Sequence, residues 1–247
     1  MEEQDYVIAD KKRKEKASQN LLWLGIVSIV MLFGSLCSGF LVSKGMKFWV
    51  NLSVPPAFWI STGIIIVSSV TVNMALSAIK KDNKSLAKYM LLVTFLLGIG
   101  FSVTQFNGWK QLKESGSYFA NSPLLDDNGN LFIKGEYGTD FTYSFAGQEL
   151  DFKDGKFYLP DGKELNPAQV DQMKDAKNTA ASYMYLLTAL HVLHLLGGLI
   201  YMIIVMLKAF LNHFNSQNHL KIKLISIYWH FLDALWILLF LFLQFIH

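Results

Sequence analysis

The chain has 247 residues, of which 52% are hydrophobic, 14% aromatic and only 17% charged, with a formal net charge of +3. This composition is too apolar for an ordinary soluble domain, and the apolar residues form long blocks, as in membrane spans. The single cysteine, Cys37, excludes a disulfide framework and a thiolate metal cluster within the chain. Because Cys37 lies inside an apolar run, we interpret it as a small buried side chain.

The N-terminal region begins with a polar segment, residues 1–20, which contains the basic stretch from Lys11 to Lys16. The apolar run that follows, Leu21 to Val42, is longer than the apolar region of a signal peptide. About 20 residues are enough to cross a bilayer as a helix. We therefore expect a retained first transmembrane helix.

The second and third expected spans are Ala57 to Ala78 and Tyr89 to Asn107, so residues 21–109 hold three transmembrane helices. The pair Pro55-Pro56 is unsuited to a helix interior but suits a helix start. Trp59 follows at the position of the aromatic belt that marks membrane interfaces.

Residues 110–179 form a polar insert. Turn signals at Asp127-Asn128-Gly129, Asp154-Gly155 and Asp161-Gly162 predict a small extramembrane unit of β-hairpins. The expected strands are 131–133, 141–145 and 157–159. Asn166-Pro167 is a suitable N-cap and first helical residue, and we expect the helix that starts there to run on into the fourth span.

The spacing Asp126-x-Asn128-x-Asn130 is typical of the start of a calcium loop. Leu131 stands where such a loop needs glycine, so we interpret the segment as a solvated turn.

Residues 180–247 hold two further spans, Tyr183 to Leu207 and Leu224 to Ile246. Basic residues are concentrated at residues 11–16, 80–88 and 208–223, which places these segments and the N-terminus in the cytoplasm. The sequence thus predicts an all-α membrane protein with five transmembrane helices and a small extracytoplasmic β-hairpin insert. The insert and the C-terminus face outward.

Ionisable residues inside the last two spans are candidate functional residues. His230 and Asp233 lie one turn apart on the fifth span, and His191 and His194 lie one turn apart on the fourth. An acid at the centre of a transmembrane helix costs roughly 2.5–3.5 kcal/mol. Such a residue is by default part of a functional or assembly site and has a protein partner.

The depth of these residues predicts that partner. Counted along antiparallel spans at about 1.5 Å per residue, His194 and Asp233 lie at the same level of a core about 30 Å thick. We therefore predict a hydrogen bond between them. Gly197-Gly198 permits the two helices to approach closely at this level.

Three interpretations of the histidines and the aspartate remain open. They are an interior polar clasp that holds helices together, a haem site with His191 or His194 and His230 as axial ligands, or a proton or ion path. The carboxylate is the best partner for a histidine here, which disfavours haem. The absence of an inverted repeat and of a broken helix disfavours a transporter.

The residues from Leu187 to His191-x-x-His194, and the run Tyr228-Trp229-His230-Phe231-Leu232-Asp233-Ala234-Leu235-Trp236, closely resemble the last two helices of subunit III of haem–copper terminal oxidases. Pro55-Pro56 with Trp59 resembles the start of an earlier helix in the five-helix bacterial form of that family. Gln105 with Trp109 and Leu112 resembles the end of the helix before the long loop.

The resemblance implies a non-redox core subunit of a proton-pumping cytochrome c oxidase in the bacterial inner membrane. It implies contact with the catalytic subunit I, with subunit II and with other respiratory subunits, bound phospholipid, support of proton uptake, and no nucleic acid. It also implies that haem and copper lie in partner subunits and that the chain has no catalytic or metal-binding residue. A quinol oxidase subunit, and from a different class a stand-alone haem protein or transporter, are the alternatives.

Two positions depart from the pattern of the family. Many relatives carry a glutamate in the first of these helices, where Ile29 stands, and another before the tryptophan after the third span, where Gly108 stands. The insert is larger than the family leads us to expect. It is a docking surface for a partner, such as a cytochrome domain, or a decoration without a partner.

Overall fold

The computed structural model describes residues 2–120 and 122–246, and five helices in this part of the chain are long and apolar enough to cross a membrane. The helices are α1 Glu2–Lys44, α2 Pro56–Lys80, α3 Lys84–Glu114, α4 Pro167–Asp175, α5 Thr179–Phe210 and α6 Leu220–Phe245. The strands are β1 Phe48–Leu52, β2 Phe141–Phe145, β3 Gln148–Glu149, β4 Asp151–Lys153 and β5 Lys156–Tyr158. The expected fold class, five membrane-spanning helices with a small hairpin region, is confirmed.

Each long helix begins before the span predicted for it, and all but α6 also end after it, because an apolar pattern marks only the part of a helix suited to lipid. The polar N-terminal segment is itself helical and continues into the first span as α1. Asp10 lies one turn before Lys14, and their charged groups are 2.7 Å apart. The hydrogen bond from Lys14 lowers the pKa of Asp10, as expected for an i,i+4 ion pair on an exposed helix.

The chain divides into two compact units, each assembled from separate stretches of sequence. The first unit consists of Met1–Gly34, Gly63–Phe101 and Leu193–Trp236. The second unit consists of Ser35–Thr62, Ser102–Val192 and Ile237–His247, and it contains all five strands.

The link between the first two spans is a strand in the second unit. Residues 48–52 form β1, which pairs antiparallel with β2 of the insert, from Phe48 opposite Phe145 to Leu52 opposite Phe141. Strand β3 completes a three-stranded sheet in the order β1-β2-β3, and β4 and β5 form a separate hairpin. Strand β1 was not predicted, because its pairing partner lies about 90 residues later in the chain.

The expected strands of the insert agree with the structure in two of three cases. Strand β2 has the predicted bounds, and β5 lies one residue earlier than predicted. The strand predicted at 131–133 is wrong, since only an isolated bridge joins Leu125 and Leu131. There, Ile133 is buried at 3% exposure, and Lys134 donates its backbone N–H to Ser115 at the end of α3.

Helix α4 begins where the sequence predicts. The Asn166 side chain accepts a hydrogen bond from the Gln169 backbone N–H at 2.8 Å, and the Gln169 side chain accepts one from Asn166 at 2.9 Å. This is a capping box. The predicted continuation into the fourth span is wrong: α4 ends at Asp175, and Asn178 accepts a bond from Ala181 at the start of α5.

The predicted turn at Asp126 is confirmed. Its carboxylate accepts the Asn130 backbone N–H at 2.7 Å and the Asn130 side-chain amide at 3.0 Å. These bonds lower the pKa of Asp126. The carboxylate is thus paired with donors of its own turn, which accounts for the Asp-x-Asn-x-Asn spacing as an Asx-type turn.

Two hydrogen-bonded tyrosines lie in the insert, Tyr137 partly buried and Tyr143 fully buried. The Tyr137 hydroxyl donates to the carbonyl of Leu150 at 2.6 Å and accepts the Tyr143 backbone N–H at 3.1 Å, while the Tyr143 hydroxyl donates to Leu124 at 2.7 Å. Burial raises the pKa of Tyr137 to about 12, and burial also raises the pKa of Tyr143.

We predict that the insert loses its packing in strong alkali. An unfolded phenol ionises near pH 10, so the stability that the neutral tyrosines contribute is fully present below that pH and is lost as pH rises through about 12. Near-ultraviolet circular dichroism and tyrosinate absorbance should change together in this range. In Tyr137→Phe the transition should move to higher pH, because one ionising group is absent. Ionisation of Tyr137 near pH 10 with an unchanged dichroism signal would contradict the prediction.

Candidate functional site

Helix α6 meets α2 in the first unit through two adjacent hydrogen bonds. The Trp229 indole N–H donates to the Ser68 hydroxyl at 2.6 Å, and the Ser69 hydroxyl lies 2.7 Å from Nδ1 of His230. Consecutive residues of one helix thus bond consecutive residues of the other. We call these four residues the serine seam, and it joins two helices that are more than 120 residues apart in sequence.

Glycine on α3 makes room for the indole of the serine seam. A Cβ atom on Gly98 would lie 2.9 Å from a ring carbon of Trp229 and 2.9 Å from Leu199 of α5. Trp229 is fully buried, so any larger residue at position 98 would displace it. Close helix approach through small residues is the usual basis of packing inside membranes.

Asp233 follows the serine seam by one helical turn and is only 3% exposed. Neither carboxylate oxygen has a hydrogen-bond partner among the residues that the structure describes. The Ser69 hydroxyl interacts with the Asp233 carboxyl group, and the same hydroxyl is hydrogen-bonded to His230. A buried carboxyl that shares a single hydroxyl with another residue is unfavourable, so packing alone does not explain Asp233.

The predicted hydrogen bond between His194 and Asp233 is wrong. The imidazole of His194 packs against Phe33 of α1 with ring centres 5.8 Å apart, and the backbone carbonyl of His194 accepts the Tyr228 hydroxyl at 3.2 Å. Matched depth fixes the height of two residues along their helices but not the rotation of either helix about its axis. The side chains therefore point to different neighbours.

The four candidate residues are divided between the units. His194, His230 and Asp233 belong to the first unit, whereas His191 is fully buried in the second. Their joint role as one polar clasp stays a prediction. Of the two glycines, Gly198 lies against a neighbouring helix, since its Cβ would be 3.0 Å from the Tyr228 ring, while Gly197 has open space.

In the second unit, hydrogen bonds between helices again involve residues singled out in the sequence. Gln105 of α3 is fully buried and donates its amide to Ser61 of α2 at 2.8 Å. The Trp109 indole N–H donates to Thr188 of α5 at 2.9 Å, and the Trp109 carbonyl accepts the Tyr185 hydroxyl at 3.1 Å. Both motif residues thus bind α3 to another helix.

The proline pair lies at the start of α2, as predicted, with Pro56 as its first residue. The backbone N–H of Ala57 in the first turn donates to the side-chain oxygen of Gln111 at 3.4 Å. Trp59 is 57% exposed and packs edge-on against Phe240 of α6, with ring centres 4.7 Å apart.

Gly108 is explained by its contact with Phe58. A Cβ atom on Gly108 would lie 2.2 Å from a ring carbon of Phe58, which is fully buried. A glutamate at this position would require the phenyl ring to move. The departure from the family pattern is therefore a packing feature of this chain.

The hydrogen bonds of Trp229, Gln105 and Trp109 each join two helices. Among the residues that the structure describes, no group of three or more His, Cys, Asp or Glu side chains is arranged to hold a metal ion. Ser68 and Ser69 were not predicted as site residues, although the polar run Ser68-Ser69-x-Thr71 within an otherwise apolar helix is a usable signal. Thr71 also bonds to another helix, at 2.8 Å from Thr94 of α3.

The most informative similarity to known proteins lies at the C-terminal end of the chain. Residues 172–247 match the family model described as cytochrome c oxidase subunit III. The matched region contains both histidines of α5, and the Trp229-His230 and Asp233 motif of α6. The proline pair and Gln105 lie outside it.

Three individual relatives extend the likeness over more of the chain. Cytochrome bo(3) ubiquinol oxidase subunit 3 of Pseudomonas aeruginosa is 23% identical over 222 residues, which cover 88% of this chain and 79% of the relative. The probable quinol oxidase subunit 3 of Staphylococcus saprophyticus is 21% identical over 239 residues, 93% of this chain and 90% of the relative. Cytochrome c oxidase subunit 3 of Rattus norvegicus is 22% identical over 181 residues. The aligned part covers 73% of this chain and 47% of that relative, so this chain spans about half the length of the relative.

We predict that Ser68→Ala destabilises the purified chain by about 1 kcal/mol, because the buried Trp229 N–H loses its acceptor. Ser69→Ala should cost less, since His230 is only half-buried. Unfolding in mixed detergent micelles measures both. Ser77→Ala, an exposed serine on the same helix, is the matched control. Equal stability of Ser68→Ala and Ser77→Ala would contradict the role of the serine seam.

Proposed function

We propose that this chain is a subunit III of a haem–copper oxidase, a non-redox core subunit of an oxygen-reducing oxidase in aerobic respiration. The family match over residues 172–247, which includes His191, His194, His230 and Asp233, is the observation that carries the proposal. In this proposal haem and copper lie in partner subunits. The single cysteine supports it, since a copper site of the subunit II type needs paired cysteines.

The chain would act by packing on the catalytic subunit and stabilising it during turnover. What supports this role is that its polar residues at bilayer depth join its own helices: the serine seam links α6 to α2, and Trp109 links α3 to α5. A contribution to proton uptake and translocation would have to use residues other than the two carboxylates of the family. Ile29 and Gly108 stand at those positions, and Phe58 fills the space beside Gly108.

The proposed orientation places the N-terminus in the cytoplasm and the insert and C-terminus in the periplasm of a bacterial inner membrane. The distribution of Lys and Arg supports this orientation, with basic clusters at residues 11–16, 80–88 and 208–223. These segments would lie against anionic headgroups.

A groove in the first unit is the proposed site for the acyl chain of a bound phospholipid. It has a volume of about 340 Å³ and is lined by Ser18, Leu22, Gly197, Tyr201, Leu224 and Tyr228. Lys208 lies two turns beyond Tyr201 on α5, and its side chain neighbours Lys221, which lies one turn before Leu224 on α6. Two adjacent ammonium groups favour an anion, and a lipid phosphate above an acyl chain in the groove satisfies both.

We predict that the double change Lys208→Ala and Lys221→Ala lowers the amount of anionic phospholipid that co-purifies with the chain in mild detergent. Native mass spectrometry measures the bound lipid. The matched control is Lys80→Ala with Lys81→Ala, an exposed pair at the end of α2. Equal lipid retention in both double variants would contradict the proposed headgroup site at Lys208 and Lys221.

The electron donor of the complex is proposed to be cytochrome c. A quinol is the second candidate, because the relatives from Pseudomonas aeruginosa and Staphylococcus saprophyticus, which align over most of both chains, are named as quinol oxidase subunits. Oxygen consumption by the purified complex with reduced cytochrome c, compared with a short-chain quinol, distinguishes the two donors.

The test of the proposed function is purification through a tag on this chain. The expected product contains haem-bearing subunits and consumes oxygen, whereas the chain expressed alone has no Soret band. Asp233→Leu should lower the yield of complex while leaving the haem spectrum of the surviving complex unchanged. Ala234→Leu, exposed on the same helix, is the matched control. A Soret band in the isolated chain, or a chain that purifies without haem-bearing subunits, would refute the proposal.

A further inference from the structure

Asn73 is a side-chain amide on the outside of a membrane-spanning helix. It lies in α2 and is exposed, and it forms no hydrogen bond or ring contact within the part of the chain that the structure describes. Seven residues separate it from Lys80, the end of α2, a rise of about 10 Å. Since α2 is about 37 Å long and the hydrocarbon core about 30 Å thick, Asn73 lies on the order of 7 Å inside the core.

Lipid tails offer no partner for an amide, so an exposed asparagine at this depth is unfavourable unless protein covers it. The other polar residues of the middle of α2 are already bonded within the chain. Ser68, Ser69 and Thr71 each have a partner on α6 or α3. Asn73 lacks such a partner, and its short side chain does not reach the interface as a lysine would.

The surroundings of Asn73 form one continuous face of α2. Gly63, Ile66, Val70, Asn73 and Ser77 follow one another at intervals of three or four residues, and all are exposed. Nothing lies within 4 Å of a Cβ atom built on Gly63, so a neighbouring backbone has room to approach there. We call these five residues the Asn73 face.

The exposed face of α5 has a different chemistry. Its exposed residues in the span after His194 are apolar apart from a glycine, and they include Leu196, Ile200 and Ile204. Such a surface suits lipid. The two faces therefore give a comparison within one chain, between a surface that needs a hydrogen-bonding neighbour and one that does not.

We propose that the Asn73 face packs against a membrane-spanning helix of the haem-bearing subunit, and that this helix supplies a hydrogen-bonding group to the Asn73 amide. The inference rests on the proposed function for the identity of the partner. The choice of this face over the other exposed surfaces rests on Asn73 alone.

Site-specific photo-crosslinking in the assembled membrane tests the inference. The photoreactive residue p-benzoylphenylalanine replaces Asn73, Val70 or, as the matched control, Ile200, and each adduct is identified by mass spectrometry. Adducts with the haem-bearing subunit are expected from positions 70 and 73, and lipid adducts from position 200. In parallel, Asn73→Leu should lower the recovery of haem-bearing subunit roughly 3- to 10-fold, because one hydrogen bond inside the membrane is lost.

The outcomes separate this inference from the proposed function. Lipid adducts alone at positions 70 and 73, in a preparation that still contains the haem-bearing subunit, overturn the Asn73 face and leave the function intact. Adducts from position 200 with the haem-bearing subunit, and none from position 73, place the interface on α5 and also overturn it. A preparation that lacks haem-bearing subunits refutes the proposed function, and the inference with it.

Discussion

A polar group inside a bilayer must find its hydrogen-bond partner within protein, because hydrocarbon offers none. In the first unit this constraint joins α6 to α2, where Trp229 and His230 bond Ser68 and Ser69. Each bond lies between two helices, so the same hydrogen bond both satisfies a polar group and fixes the position of one helix against the other. The energy of one such bond is modest, and several of them together with close packing define the arrangement.

Close packing and hydrogen bonding depend on each other here. The indole of Trp229 reaches Ser68 only because Gly98 leaves a slot for its ring, as the 2.9 Å distance from a Cβ at that position indicates. In the second unit the absence of a side chain at Gly108 admits Phe58 in the same way. Small residues on α3 thus decide which aromatic side chains can enter the interior.

Asp233 and Asn73 are polar residues of the spans without a hydrogen-bond partner in the described part of the chain, and they differ in exposure. Asp233 is buried within the first unit, so its compensation has to come from its immediate surroundings, of which the Ser69 hydroxyl is one. Asn73 is exposed, so a neighbour outside the chain can reach it. Asp233, which is buried, therefore affects the stability of this chain, whereas Asn73, which is exposed, affects its assembly with other chains.

The sequence by itself determined the number of spans, since a run of about 20 apolar residues has no other stable setting. It also determined the hairpin character of the insert, strand β2 and the start of α4, because turn residues and an N-cap act locally. The family likeness follows from short motifs on α5 and α6, which need no tertiary information.

Only the tertiary structure decided which residues meet. Depth along a helix predicted His194 as the partner of Asp233, but rotation about the axis directs His194 toward Phe33 and leaves His230 with Ser69. Likewise, β1 became a strand only because β2, distant in sequence, lies beside it. Local patterns fix what each segment is, whereas the contacts between segments depend on rotation and on space left by small residues, which no local pattern encodes.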